Sequence, residues 1–164
     1  MRTLSLSPLS RLASLAPLAV RVIVGIIMFA HGLQKLTQVG PGNFGAQALA
    51  GLGVPLPVFM GYVVTLVEVV GGLLLIVGLF SRLAALLLTI DLVVAILLVK
   101  VNVGFLSPMG SPGVGAELDL ALIAGFLVIL FAGPGRLSVD HALGLEPDVV
   151  AEDPSARRGR TRTT

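Results

Sequence analysis

Four long apolar runs dominate the 164-residue chain, at about Leu15–Leu36, Val58–Phe80, Leu83–Val101 and Leu118–Ala132. A helix rising ~1.5 Å per residue needs ~20 apolar residues, with a range of about 17–25, to cross a hydrocarbon core ~30 Å thick. The first three runs meet that length. The fourth is shorter and meets it when Glu117 and the Gly133-Pro134-Gly135 break sit among the headgroups. The pattern predicts an all-α integral membrane four-helix transmembrane bundle over residues 15-140. A polar segment, 1-14, precedes it and a basic tail, 141-164, follows. The short Ser81-Arg82 turn makes runs two and three an antiparallel hairpin. Two longer loops, Thr37–Pro57 and Asn102–Ala116, are rich in Gly and Pro. In the first, Asn43 is placed to cap a short surface helix through Ala50, closed by Gly51 and Gly53.

Three of the runs carry a charge at membrane depth: Arg21, Glu68 and Asp91. On the gentlest scale such a charge costs ~2.5–3.5 kcal/mol at the bilayer centre, so it is expected to pair or to work. By helical rise Glu68 and Asp91 both fall near the midplane, with Arg21 about two turns in from one face. One arginine cannot neutralise two acids. The expectation is a pair between Arg21 and Glu68, so that Glu68→Gln would strand Arg21, with Asp91 protonated as a proton relay or part of a structural clasp. A second, outer polar cluster combines His31, Lys35 and Glu117, a candidate site for an anionic or quinone headgroup.

Small and polar residues mark the packed face of a helix in lipid, where apolar burial gives no preference. Steps of four, three and four residues link Arg21, Gly25, Met28, Gly32 and Lys35 on helix one. The same steps link Gly61, Thr65, Glu68 and Gly72 on helix two, and Ala84, Leu88, Asp91 and Ala95 on helix three. On helix four they select Glu117, Ala121, Ala124 and Val128. Asp119, about 200° around from Glu117, is expected to point to a headgroup or a partner.

Composition narrows the class further. Hydrophobic residues make up 55% of the chain and charged residues 12%, against roughly 25% charged in a soluble domain. Without cysteine there is no disulfide, thiol centre or thiolate metal site, and the two histidines, His31 and His141, fall at opposite ends of the bundle, too far apart to share a haem. No metal-ligand spacing, nucleophile elbow or nucleotide loop is present, so no catalytic residues are expected. The tail arginines Arg157, Arg158, Arg160 and Arg162 lack a basic domain behind them, which argues against nucleic acid and for anionic lipid. Run one starts late, is long and holds Arg21, which argues against a cleaved signal peptide. Arg2, Arg11, Arg82, Arg136 and the tail gather on one side of a four-span chain, against Lys35 and Lys100 on the other, so both termini are expected in the cytoplasm.

Several patches together resemble the DoxX family of small four-helix bacterial membrane proteins. They are Arg21-Val-Ile-Val-Gly25, Phe29-Ala-His31-Gly32 with Lys35-Leu36, Glu68-Val-Val-Gly71-Gly72, Gly78-Leu79-Phe80-Ser81-Arg82, Gly104-Phe105, Glu117, and Gly133-Pro134-Gly135-Arg136-Leu137-Ser138-Val139-Asp140. The resemblance spans about Leu18 to Asp140. It matches Arg21, His31, Gly32, Lys35, Glu68, Gly72, Arg82, Glu117, Arg136 and Asp140. It departs at Lys100 and Asn102, where relatives often carry a histidine, at Ala116 and Leu118, where an aromatic is common, and at Asp91. The resemblance implies a multi-pass protein of the bacterial plasma (inner) membrane, linked to quinone-dependent or redox-stress oxidoreductases.

Three functions follow as expectations: a membrane subunit or anchor of an oxidoreductase assembly, touching quinone or a soluble redox enzyme; a small proton-coupled carrier built on Glu68 and Asp91; and a non-catalytic scaffold. A homo-oligomer is expected for the carrier, since the chain lacks inverted repeats.

Overall fold

The computed structural model describes residues 15–107 and 114–145, all helices, turns and loops. The polar segment 1-14 and the tail arginines lie outside the described residues. Helix α1 (Ala16–Gln34) opens with a proline in its first turn and runs on through one wider π-type turn, Lys35–Val39. Helix α2 (Pro41–Phe44) continues through a second wide turn, Gly45–Leu49, and a tight one, Ala50–Leu52. Three long helices follow: α3 (Pro57–Val77), α4 (Ser81–Leu98) and α5 (Ala116–Ala132), with a last short helix α6 (Val139–Ala142). The rod Ala16–Val39, α3 and α4 are long and apolar enough to cross a membrane. Helix α5, at 17 residues, packs beside them. The long helices close a ring in which α1 meets α3 and α5, and α4 meets the same two.

Glycine sets the α1–α3 contact. A Cβ at Gly72 would stand 2.5 Å from the Phe29 nitrogen, and one at Gly32 would stand 2.7 Å from the Val69 nitrogen. The backbones therefore touch, which dispersion in lipid rewards. The stripe Arg21, Gly25, Met28 and Gly32 is buried, as are Gly61, Thr65, Glu68 and Gly72 on α3. Between them Met28, Leu75, Leu88, Phe126 and Ile129 are at most 1% exposed. Ile23, Ile26, Phe59, Leu66, Leu83 and Leu97 point outward, the surface a bilayer would cover.

Three expectations are corrected. On α5 the small face Ala121, Ala124 and Val128 is exposed, and Ala116, Leu122, Ile123, Phe126 and Ile129 are buried instead. The helix is apolar on all sides, so spacing cannot pick its packed face, and the space beside α1 and α4 is filled by large side chains rather than by close backbones. The hairpin turn is Gly78-Leu79-Phe80, and Ser81 already begins α4. Gly78 adopts φ 75°, where a side chain is strained, and the Gly78 and Leu79 amides both bond the Leu74 carbonyl. Asn43 does not cap α2. Gly40 precedes the helix, and the Asn43 side chain donates back to the Val39 carbonyl at 3.1 Å.

Candidate functional site

The buried charges form two groups, one at the turn end of the bundle and one reaching from its middle toward α2. At the end holding the α3–α4 turn, Arg21 does not pair with Glu68, which corrects the sequence expectation. Its guanidinium donates to the carbonyls of Leu75 at 3.1 Å and Ile76 at 3.0 Å, and to that of Leu137. The first two are carbonyls in the last turn of α3, which lack helical partners and carry the negative end of its dipole. Arg21 is 2% exposed. A Cβ at Gly78 would collide with its guanidinium, so both φ and the space beside it favour glycine there.

Asp140, 1% exposed, completes this end. Its carboxylate accepts from the amides of Phe80 at 2.7 Å and Ser81 at 2.9 Å, while its own amide donates to the Gly78 carbonyl at 2.8 Å. A residue from beyond α5 thereby caps the start of α4. Ser138 fixes this segment by accepting from the His141 amide at 3.1 Å and donating to the Gly135 carbonyl at 2.7 Å. Arg82 reaches the Leu130 and Phe131 carbonyls near the end of α5. Every one of these bonds ends on backbone. This end is a clamp. Asp140 is the residue that spacing alone gave no role, although Ser138 two residues before it has the form of a helix cap.

The other end is built differently. Lys35, at the start of the wide turn, bends inward and donates to both oxygens of Glu68 at 2.5 Å. The pair is shielded, with side chains 21% and 5% exposed. The Phe44 ring centre lies 5.3 Å from the Lys35 ammonium. Asp91 lines the same cavity, about 100 Å³, with Phe44, Leu49, Leu52, Val64, Val94, Ala95, Leu98 and Val99 around it. The site thus joins Lys35 to Glu68 and Asp91 and separates Arg21 from both. The residues of the outer cluster part company: Lys35 goes to Glu68, the exposed His31 stays at the surface, and Glu117 turns back to accept from the Gly115 amide at 3.3 Å.

Asp119 faces inward rather than toward a headgroup. It lies near enough to Lys100, His31, Glu117 and Lys35 to feel their charges. One oxygen of Asp119 and one of Glu117 are buried with no hydrogen-bond partner among the described residues. Acids outnumber bases at this end.

A family model described as DoxX matches residues 16–101. The chain belongs to the DoxX family. An "Uncharacterized membrane protein Rv3486" of Mycobacterium tuberculosis is 36% identical over 135 residues, covering 77% of this chain and 80% of that protein. A Bacillus subtilis protein named "Putative oxidoreductase CatD" is 37% identical over 123 residues, covering 75% and 83%. A Haemophilus influenzae protein is 30% identical over 125 residues, covering 74% and 85%. No solved structure matches the chain. The DoxX match takes in Arg21, Lys35, Glu68, Asp91 and Arg82, and ends before Glu117, Arg136 and Asp140. It therefore contains the whole cavity-lining charge set and only half of the clamp.

Proposed function

We propose that this DoxX protein is a four-pass protein of the bacterial plasma membrane, serving as membrane subunit or anchor of an oxidoreductase assembly. In this reading α5 is the fourth span, and the turn end, with Arg21, Arg82 and Arg136, is cytoplasmic by the positive-inside rule. The observation that carries the reading is the family membership joined to the name of the Bacillus relative. The chain's residue types add to it: with no cysteine and its two histidines on α1 and α6, electrons would reach it through a partner.

Quinone was the cofactor expected at the outer cluster. The cavity beside Lys35 offers room for about three waters, taking ~30 Å³ for each. That is small for a quinone ring, since ligand pockets usually hold ~300–1,000 Å³. In this reading a quinone is met outside this cavity, at a surface shared with a partner.

Glu68 and Asp91 in one cavity favour the second reading, a proton-coupled carrier. Against it stands the dry layer. By helical rise the two acids lie ~14–15 Å from the turn end, and Leu75, Leu88, Phe126 and Ile129 fill that interval. Among the described residues this layer is apolar.

The test is purification from native membranes in mild detergent, with mass spectrometry of proteins and bound lipids. A stoichiometric redox enzyme is the expected result. A homo-oligomer carrying only phospholipid would overturn it and leave the scaffold reading.

A further inference from the structure

The cavity beside Lys35 holds one ammonium and two carboxylates, and its charges do not balance. Lys35 directs two of its three N–H donors to Glu68, both of whose oxygens it meets at 2.5 Å. Asp91 receives no hydrogen bond among the described residues, yet it lines the same half-open cavity near the middle of α4. An ionised Asp91 in that position is uncompensated, and hydrocarbon surroundings make such a state costly. Two occupants restore neutrality: a proton on the carboxyl, or one monovalent cation beside it.

The walls decide which cation. A metal ion wants a shell of oxygens, commonly six or more for the hard divalent ions. Here the remaining lining is aliphatic, with one aromatic ring, and no metal-holding group of three acids or histidines occurs among the described residues. A primary ammonium with a short alkyl tail needs less. It donates to a carboxylate and lays its carbon against Val64, Val94 and Leu98. The volume of about 100 Å³ suits a molecule of a few heavy atoms.

We propose that the Lys35–Glu68–Asp91 cavity is a binding site for a small primary ammonium group, held by Asp91 in exchange for its proton. The layer of Leu75, Leu88, Phe126 and Ile129 closes the site from the turn end. The groups facing Asp91 are Glu68 from α3, Lys35 from the end of α1 and Asp119 from α5, and α2 contributes no charge. Because the ammonium replaces a proton, binding weakens as the pH falls. The proposal does not depend on an oxidoreductase partner, since it is tested on the purified full-length chain.

The probe is methylammonium chloride, compared with equal potassium chloride and equal tetramethylammonium chloride. The protein sits in nanodiscs of phosphatidylcholine and phosphatidylglycerol. Methylammonium is expected to raise the melting temperature saturably, because a ligand that binds the folded state alone stabilises it by mass action. The other two salts are expected to give no saturable rise. Asp91→Asn is expected to fold, since it removes a charge and leaves the shape, and to abolish the methylammonium effect. A second set of discs containing phosphatidylethanolamine distinguishes the source of the group. Stabilisation there, lost in Asp91→Asn, keeps the ammonium site and assigns a lipid headgroup to it. No difference between methylammonium and potassium in the first discs, together with no Asp91-dependent effect in the second, overturns the proposal. So does an undiminished effect in Asp91→Asn.

Discussion

The two ends of the bundle handle buried charge in opposite ways. At the turn end each ion meets backbone: Arg21 meets carbonyls of Leu75, Ile76 and Leu137, and Asp140 meets the amides of Phe80 and Ser81. At the α2 end Lys35 meets Glu68 directly, and the carboxylates of Glu68 and Asp91 outnumber it around a cavity. A charge that completes helix ends is committed to holding the fold together. A charge left over beside empty space is available. The difference separates residues that build this protein from residues that give it something to do.

Substitutions sharpen that contrast. The largest effect is expected from Arg21→Met, which leaves three carbonyls without their donor. At about 1–3 kcal/mol for each buried group left unsatisfied, the loss is roughly 3 kcal/mol or more, read as poor accumulation and a lower melting temperature in detergent. Asp140→Ala follows at about 2–3 kcal/mol, since the Phe80 and Ser81 amides lose a charged acceptor. Asp140→Asn should recover part of that, because one oxygen remains. Glu68→Gln is expected to cost less, about 1–2 kcal/mol. It strands Lys35 rather than Arg21, and a partly exposed lysine can swing its ammonium outward. Asp91→Asn comes last, within about 1 kcal/mol of wild type and on the stable side, because it removes a charge with no local donor. If Asp91→Asn melts as low as Arg21→Met, the two ends do not differ in the way described.

Much of the fold was legible because small residues mark close helix contacts. Gly25, Gly32, Gly61 and Gly72 lie at helical spacing on α1 and α3, and those faces are buried. Helix α5 was not legible by the same rule, since Phe126 and Ile123 pack there and the alanines look outward. The ion pairing was misread for a physical reason. Depth along the helices alone favours Arg21 for Glu68 and places Lys35 with His31 and Glu117 in the outer cluster. The wide turn at Lys35–Val39 starts at this lysine, and its ammonium bends back inward to Glu68. The role of Asp140 depends on a contact 60 residues away in sequence, which no local pattern reports. The cavity itself needs α2 as its roof, through Phe44, Leu49 and Leu52, and loop composition says nothing about where such a segment lies.

The clamp also fixes an order of assembly. Chains emerge from the ribosome N-terminus first. Arg21 is made early, yet one of its acceptors, the Leu137 carbonyl, comes 116 residues later. The cap on α4 likewise waits for Asp140, after every long helix has been synthesised. Until those last residues arrive, the nascent protein carries an arginine short of an acceptor and a hairpin without its fastener. Synthesis through Asp140 is thus the step that can close the bundle, and a chain stopped just after Ala132 would hold its four long helices without that clamp.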